Sequence, residues 1–352
     1  LRRSGLGGVL ADDMGLGKTL QVLAMVLDER EDASSPTSGD PAGGRGPWLV
    51  VAPTSVVGNW VSEASRFAPG LRVVAVQATA ARRGTTLAQE AAGADVLVTS
   101  YALARLESQD YAGLNLAGMV LDEAQNAKNP SSQTFSALVE IAAPVVYAVT
   151  GTPMENHLGE LWAVLALTAP GVLGPLSQFT KNWRRPIENG DDPDGSRMAV
   201  LRRRIAPFLL RRAKEDVLLD LPPKQEQVIE VELSPAHRRL YDRRLQRERQ
   251  EVLHLVGDLE HNRVAVLAAL TRLRQLAIDP GLVEEGTTAA SSKLDALVPL
   301  LEDAVEEGHR ILVFSQFTRF LRRIAARLDE VGIAHSYLDG TTPRRTQVIQ
   351  RF

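Results

Sequence analysis

The chain has 352 residues, of which 44% are hydrophobic, so it is long enough for two or three domains and can bury substantial cores. It contains no cysteine, which excludes structural disulfides and thiolate metal sites, and its six histidines are too scattered for a zinc site. The net charge of −3 excludes a uniformly basic coat but not a local basic patch. No apolar run approaches the ~18 residues of a membrane span, so we expect a protein without membrane contacts in a reducing cytoplasm.

The first half of the chain has the pattern of a parallel sheet. Residues 8–11 predict a strand, residues 19–27 a helix, and the Gly, Pro and Ser residues within 31–47 a mobile surface loop. Further short apolar runs predict strands at 48–53, 71–76, 95–101, 118–124 and 144–151. Short strands that alternate with helices imply a parallel sheet covered on both faces, with its ligand site at the carboxyl ends of the strands.

The pattern changes near Leu161, and the second half combines helices with a second α/β unit. Helices are predicted at 161–170, 196–220, 234–278, 292–306 and 318–331, and strands at 224–233, 311–314 and 335–338. The fold class is therefore α/β, with two parallel-sheet lobes, helical insertions and an incomplete second lobe. The predicted domains are lobe one at 1–165, a helical protrusion and linker at 166–220, and a partial lobe two at 221–352 with a helical insertion at 234–285.

The strongest motif is LADDMGLGKTLQ at residues 10–21, between the first predicted strand and helix. Gly15 and Gly17 allow the backbone to wrap around phosphate oxygens, Lys18 would reach the β- and γ-phosphates, and the Thr19 hydroxyl would hold Mg²⁺. Asp12 stands where the strict phosphate-loop pattern has its first glycine. The candidate nucleotide-binding residues are Asp13, Met14, Gly15, Leu16, Gly17, Lys18, Thr19 and Leu20. A simple glycine turn that caps a helix is the alternative.

Two further motifs follow predicted strands in the order that a nucleotide motor requires. MVLDEAQ at 119–125 ends a strand with two carboxylates, of which Asp122 suits the magnesium shell and Glu123 the activation of water. In TGTP, which follows the last strand of the first lobe, Thr150 and Thr152 could sense the γ-phosphate. Each motif alone could be a helix cap or a turn; their order after the phosphate loop favours catalysis, with Lys18, Asp122 and Glu123 as the catalytic residues.

The combination of motifs resembles a known family. The segments DDMGLGKTLQ, VAPTSVVGNW, VTSY, LDEAQNAKN, TGTPMENHLGELW, FLLRRAKEDVLLDLPPK, ILVFSQFT and YLDGTT occur in this order over nearly the whole chain. Together they resemble the SWI/SNF-type ATPases of helicase superfamily two. The resemblance implies two RecA-like lobes, the use of ATP and Mg²⁺, and movement along double-stranded DNA, usually without strand separation.

The resemblance also implies roles for individual residues. Lys18 and Thr19 would contact the nucleotide, and Asp122 and Glu123 would serve magnesium and water. Residues expected to contact DNA backbone or to couple it to the ATP state are Pro53, Ser55, Thr99, Ser100, Thr150, Thr152, Ser315, Gln316 and Gly340. Small hydroxyls and backbone amides suit contacts that position DNA without reading its sequence. For any one of them, an ordinary turn residue at the end of a strand is the alternative.

Three departures from the family pattern limit what the resemblance implies. Gln125 stands where many relatives carry His, which we expect to change coupling more than catalysis. The sequence begins just before the phosphate loop and ends before the motifs that supply arginines to the transferred phosphoryl group. Such an arginine contributes roughly 10³–10⁵ in rate in related systems. We therefore expect this polypeptide alone to bind ATP weakly and to hydrolyse it poorly.

A basic segment near the middle of the chain has two open interpretations. It contains Arg202, Arg203, Arg204, Arg211, Arg212 and Lys214. A helix cannot present Arg203 and Arg204 on the same face as both Arg211 and Arg212, so the six cannot all touch one surface. The segment could follow DNA phosphates or join the protrusion to a lobe, or it could be a solvated helix face.

Three functions remain for the whole chain. The first is an ATP-driven translocase on double-stranded DNA, a DNA-dependent ATPase that displaces or remodels bound protein such as RNA polymerase. The second is an RNA helicase, although LDEAQ and TGTP differ from the DEAD and SAT patterns usual there. The third is a nucleic-acid-binding scaffold without turnover, against which the intact Lys18, Asp122 and Glu123 argue. Abundant Ala, Arg and Gly favours a GC-rich bacterial source, hence a location at the nucleoid.

Overall fold

The chain folds into two compact units, Leu1–Pro223 and Lys224–Phe352, in a computed structural model. The structure describes residues 1, 5–34, 46–152, 154, 156–217, 220, 222, 224–255, 259–284, 286–342 and 345–352. Most of the surface loop predicted at 31–47 lies outside the described residues. Its first residues, up to Ser34, continue the first helix, and its last precede a strand that begins at Trp48.

The first unit is built on one parallel sheet, as predicted. Its strands are β1 (Gly8–Leu10), β2 (Trp48–Ala52), β3 (Val73–Val76), β4 (Val96–Ser100), β5 (Gly118–Asp122), β6 (Val146–Val149) and β7 (Leu209–Leu210), in the spatial order β3-β4-β2-β5-β6-β1-β7. The register places Leu10 of β1 and Asp122 of β5 on either side of Val149 of β6. The phosphate-loop strand and the acidic strand therefore end at the same edge of the sheet, separated by the single strand β6.

The strands are mainly apolar, with polar residues at the carboxyl ends of β4 and β5, because helices cover both faces of the sheet. Every residue of β2 is buried, and successive residues enter opposite cores. Trp48 and Val50 pack in the core on one face of the sheet, whereas Leu49 and Val51 pack in the core on the other. Full burial of both faces is why these strands appear in the sequence as continuous hydrophobic runs rather than as alternating ones. The rigid sheet then fixes the loops at its carboxyl edge.

Helices pack on both faces of this sheet and extend beyond it. They are α1 (Lys18–Ser34), α2 (Val57–Phe67), α3 (Ala80–Arg83), α4 (Leu87–Ala91), α5 (Tyr101–Leu106), α6 (Ser108–Ala112), α7 (Gln133–Ile141), α8 (Leu158–Thr168), α9 (Leu176–Phe179), α10 (Arg185–Glu188), α11 (Ser196–Ile205) and α12 (Lys214–Val217). The helix predicted over 196–220 is too long. It ends at Ile205 because Pro207, which lacks an amide hydrogen, lies in a 3₁₀ turn, and the chain then joins the sheet as β7.

The second unit is helical in its described part. Its helices are α13 (Pro235–Leu255), α14 (Leu259–Ile278), α15 (Ser292–Glu306), α16 (Thr318–Glu330) and α17 (Arg345–Arg351). The buried carboxylate of Glu248 on α13 accepts hydrogen bonds from Arg272 on α14, at 2.7 and 2.8 Å. Leu294 and Val298 of α15 pack with Phe320 and Ile324 of α16 in a separate small core. The helices predicted at 292–306 and 318–331 are thus confirmed.

The three strands predicted in the second unit do not form in the described residues. Segments 224–233, 311–314 and 335–338 have no strand pairing. Ile311 and Val313 pack against the small core, whereas Leu312 and Phe314 are 65% and 86% exposed. Alternation of apolar and polar side chains indicates that one face of a segment is covered. A β-strand also needs a neighbouring strand to form hydrogen bonds with its backbone N–H and C=O groups. The α/β class is confirmed on the first unit, whose sheet matches one RecA-like lobe. No helix in the described part of the chain is long and apolar enough to cross a membrane.

Candidate active site

The phosphate-loop motif forms an open turn between β1 and α1. Gly15 and Gly17 adopt positive φ angles of 87° and 71°, which side chains other than hydrogen disfavour. The ammonium of Lys18 donates to the backbone carbonyl oxygens of Asp12 at 2.8 Å and Asp13 at 3.2 Å, so it lies within the turn. The strand, turn and helix are those that the sequence predicts, and the turn leaves Met14, Gly15 and Gly17 exposed.

Asp12, the residue at the position of the missing glycine, is fully buried and paired with Arg212. The guanidinium Nη2 of Arg212 lies 2.5 Å from Oδ2 of Asp12, and the Arg212 backbone N–H donates to Oδ1 at 3.0 Å. Burial alone would raise the pKa of Asp12, but hydrogen bonds from Arg212 and Gln21 hold the pKa below its ordinary value. The side chain of Asp12 therefore anchors a remote segment.

The side chain and the backbone of Asp122 are each held by a group from a neighbouring element. The indole Nε1 of Trp60 on α2 donates to Oδ2 of Asp122 at 2.8 Å, and the Tyr101 hydroxyl donates to the Asp122 backbone oxygen at 2.8 Å. Burial raises the pKa of Asp122, and so does the charge of Glu123, while the Trp60 hydrogen bond and the charge of Lys18 lower it. The strand register places Asp122 and the end of the phosphate-loop strand at the same edge of the sheet, on either side of β6.

The backbone of Glu123 adopts a conformation that is uncommon for residues other than glycine. Its φ is 48° and its ψ 56°, a left-handed conformation that costs a non-glycine residue about 1 kcal/mol or more. The side chain of Glu123 is half-buried, and its Oε2 accepts a hydrogen bond from Nε2 of Gln125 at 2.8 Å. The turn thus directs the second acid away from the strand, while Gln125 fixes its orientation.

Gln125 also connects the acidic motif with the TGTP motif. The Thr150 hydroxyl donates to Oε1 of Gln125 at 2.8 Å, and the backbone N–H of Thr152 donates to the Thr150 hydroxyl at 3.0 Å. Thr150 is 1% exposed and its backbone N–H donates to Leu10 at the end of β1. A continuous line of hydrogen bonds therefore runs from Glu123 through Gln125 to Thr150, and Pro153 of the same motif lies outside the described residues.

The DNA-contact candidates of the first unit occupy different environments. Ser55 is exposed and Pro53 half-buried, both between β2 and α2. Thr99 has no exposed surface, and its hydroxyl donates to Val76 and accepts from Tyr111 at 2.8 Å. The Thr99 hydroxyl is thus engaged inside the unit, and its role in DNA contact or coupling stays a prediction. The Ser100 hydroxyl is engaged too, because it caps α5 by accepting from the backbone of Leu103.

The candidates of the second unit are more accessible. Gln316 and Gly340 are exposed, and a Cβ added to Gly340 would meet open space. The Ser315 hydroxyl accepts from the Phe317 backbone at 3.1 Å, which shapes the turn before α16. Beside Gly340, Asp339 accepts hydrogen bonds from Thr341, Tyr337 and Thr342, which hold its pKa well below the ordinary value. These residues remain predicted DNA contacts.

The basic segment divides into two parts. Arg202, Arg203 and Arg204 are exposed on α11, and the guanidinium of Arg204 lies 5.4 Å from the ring centre of Trp183. Arg212, by contrast, belongs to the phosphate-loop region. The structure thus shows a contact with the lobe for Arg212, whereas the exposed arginines of α11 are compatible with either a DNA-phosphate track or a solvated helix face.

The residues around the site accommodate ATP and Mg²⁺. The glycine turn exposes its backbone, Lys18 supplies a cation within it, and the hydroxyl and carboxylate of Thr19 and Asp122 are the hard oxygen donors that Mg²⁺ prefers. Among the described residues no three His, Cys, Asp or Glu side chains come together as a metal site. This is compatible with Mg²⁺, which usually takes one or two protein ligands together with phosphate and water.

Comparisons with known proteins agree with this geometry. The family model of the SNF2-related domain matches residues 1–282. The chain is 34% identical over 362 residues to a Bacillus subtilis protein provisionally named ATP-dependent helicase/translocase YwqA. It is 33% identical over 368 residues to the mouse SWI/SNF-related matrix-associated actin-dependent regulator of chromatin subfamily A member 1. All of the chain takes part in both matches, but it spans only 38% and 34% of the lengths of these two relatives.

A solved structure is similar over almost the whole chain. It is the SWI2/SNF2 ATPase core of Sulfolobus solfataricus in complex with dsDNA, with a TM-score of 0.54 and 31% sequence identity. The match covers 99% of this chain and 72% of that one. Similarity in sequence and in fold thus points to the same group of proteins.

Proposed function

The chain belongs to the SNF2-related family of ATP-dependent helicase-like proteins, and we propose that it is the catalytic core of a translocase on double-stranded DNA. The proposed reaction is DNA-stimulated hydrolysis of ATP with Mg²⁺. One observation carries the proposal: Lys18, Asp122 and Thr150 converge at one sheet edge although they belong to three separate motifs. Neither a helix cap nor an isolated turn would require this convergence.

The chain's own residues divide the chemical work. Lys18 would leave the backbone carbonyls on which it rests and bind the β- and γ-phosphates, while Thr19 and Asp122 would hold Mg²⁺. When bound, the ion neutralises charge on the phosphate oxygens. Glu123, oriented by Gln125, would position the attacking water and accept its proton. Through its hydrogen bonds to Gln125 and to the Thr152 backbone, Thr150 would couple the presence of the γ-phosphate to the rest of the TGTP loop.

DNA is the proposed track because the similar Sulfolobus core was solved with dsDNA and because accessible candidates remain on both units. They are Pro53, Ser55, Thr152, Gln316 and Gly340. Small polar and backbone groups would contact phosphates without reading sequence. The proposed site of action is the nucleoid in the cytoplasm, and the proposed task is displacement of a DNA-bound protein such as RNA polymerase.

The decisive experiment measures ATP hydrolysis by the purified full-length protein with duplex DNA, single-stranded DNA and RNA at equal nucleotide concentration. Stimulation by duplex DNA, together with displacement of a third strand from a DNA triplex and no strand separation, would support the proposal. Stimulation by RNA instead would favour an RNA helicase. Absence of turnover with every nucleic acid, while ATP still binds, would favour a scaffold.

A further inference from the structure

The segment that follows the basic helix α11 runs alongside the phosphate loop. At the end of β7, the Leu210 carbonyl accepts a hydrogen bond from the Ala11 N–H at 2.7 Å. Two residues further on, the Arg212 carbonyl accepts one from the Asp13 N–H at 3.1 Å. The Lys214 N–H in turn donates to Oδ2 of Asp13 at 3.1 Å. The pairing of β1 with β7 thus continues past both strand ends, so that residues 210–214 form a wall along the loop.

The wall is fixed where the loop departs from the usual pattern. Arg212 donates to Asp12 from its backbone and its guanidinium, and its Nη2 also donates to Oε1 of Gln21 on α1 at 2.8 Å. Gln21 Nε2 donates to the Leu16 carbonyl within the loop at 3.0 Å. Bidentate pairing of this kind fixes geometry as well as charge. The position of the next residues is therefore set by the loop itself.

Lys214 ends this wall directly over the glycine turn. A Cβ placed on Gly15 would lie 3.2 Å from Cε and 3.3 Å from Nζ of Lys214. The Lys214 side chain is exposed, and its ammonium makes no hydrogen bond or ion pair with the rest of the described chain. Lys18, by contrast, already rests on two carbonyl oxygens. The turn that exposes backbone amides thus has a second, unpartnered cation beside it.

From this placement we propose that Lys214 is a second phosphate-binding lysine of the nucleotide site, held in place by the Arg212–Asp12 pair. This proposal rests on the proposed function, because it assigns a further residue to the same ATP site. A charged ammonium near several phosphate oxygens gains more from a triphosphate than from a monophosphate. Lys214 would therefore contribute to the discrimination of ATP and ADP from AMP.

The test compares Lys214→Met, Lys214→Arg and the control Lys181→Met, an exposed lysine of the same unit that lies outside the wall. Equilibrium dissociation constants are measured for ATP, ADP and AMP with Mg²⁺, and for inorganic tripolyphosphate as a competitor. We expect Lys214→Met to weaken ATP and tripolyphosphate about tenfold or more, to weaken AMP less than twofold, and to retain the circular dichroism spectrum. Lys214→Arg and Lys181→Met should bind ATP within about threefold of the wild-type chain.

Two outcomes would overturn the assignment while leaving the proposed function intact. In one, Lys214→Met binds ATP as the wild-type chain does, although Lys18→Ala does not bind. In the other, Lys214→Met weakens AMP and ATP equally, which would indicate a general effect on the loop rather than a phosphate contact. Failure of the wild-type protein to bind any nucleotide would instead refute the proposed function itself.

Discussion

The indole of Trp60 offers a sharp test of the active-site geometry. Trp60→Phe keeps an aromatic ring in the buried core beside α2 but removes the N–H that donates to Oδ2 of Asp122. Asp122 is already disfavoured as an anion because burial raises its pKa. Without the indole, the carboxylate loses one of the interactions that lower this pKa, so the pKa must rise further. A protonated Asp122 cannot hold Mg²⁺, and activity at acidic pH should fall.

The size of the effect follows from the hydrogen bond that is lost. A hydrogen bond to a charged group contributes about 1.5–3 kcal/mol. One pH unit corresponds to about 1.36 kcal/mol of preference for the charged form. If most of the bond's energy is selective for the carboxylate, the acid limb of the ATPase profile moves to higher pH by roughly one to two units. The assay is the steady-state hydrolysis rate between pH 5 and 9 at several Mg²⁺ concentrations.

The chain contains a matched control for this substitution. Trp48 lies in the same core and also donates its indole N–H to a carboxylate, that of Glu29 at 2.8 Å. Both Trp48→Phe and Trp60→Phe should lower the free energy of unfolding by about 1–3 kcal/mol. Only Trp60→Phe should move the acid limb. Equal acid limbs in the two variants would refute the assignment of Asp122 to the magnesium shell.

The remaining predictions concern the same edge of the sheet. Lys18→Ala should abolish ATP binding in a titration with a fluorescent nucleotide, because the phosphates lose the cation of the loop; undiminished affinity would show that the site lies elsewhere. Glu123→Gln should bind ATP normally but lower its turnover by about 10²-fold or more in a single-turnover assay, since the water loses its base. Gln125→Ala and Thr150→Val should each reduce stimulation by duplex DNA more than basal hydrolysis, and the double variant should be no worse than the stronger single one. Additive losses would contradict a shared line of hydrogen bonds.

Much of the first unit could be predicted because its information is local. The strands can be recognised in the sequence as apolar runs because both faces of the sheet are covered. The motifs follow the carboxyl ends of these strands, which is where parallel sheets bind their ligands. The rule that parallel strands place their ligand site at their carboxyl ends was enough to predict that Lys18 and Asp122 lie at the same edge of the sheet. What it could not supply was the spatial order, in which β6 separates the two strands and brings Thr150 between them.

The second unit shows where local patterns stop being sufficient. The helix predicted over 292–306 is confirmed to the residue, because an amphipathic helix satisfies its own backbone and needs only one covered face. The strands predicted at 311–314 and 335–338 needed a neighbour as well. At 311–314 the side-chain alternation reflects packing of Ile311 and Val313 against the core of α15 and α16, and it carries no information about whether a second strand lies beside the segment.

The least predictable contacts are those between distant parts of the sequence. Trp60 lies 62 residues before Asp122, and Arg212 lies 200 residues after Asp12, so neither pairing has a local signal. A departure from a motif did provide a clue. An aspartate at a glycine position, buried beside a phosphate site, would repel the ligand unless a cation neutralised it. The basic segment at 202–214, which contains no acidic residue, could supply that cation. Because Arg212 and Gln21 together satisfy the carboxylate of Asp12, the charge of Lys214 remains available. The aspartate at the glycine position and the basic segment therefore act together: Asp12 anchors Arg212, and Arg212 places the ammonium of Lys214 beside the loop.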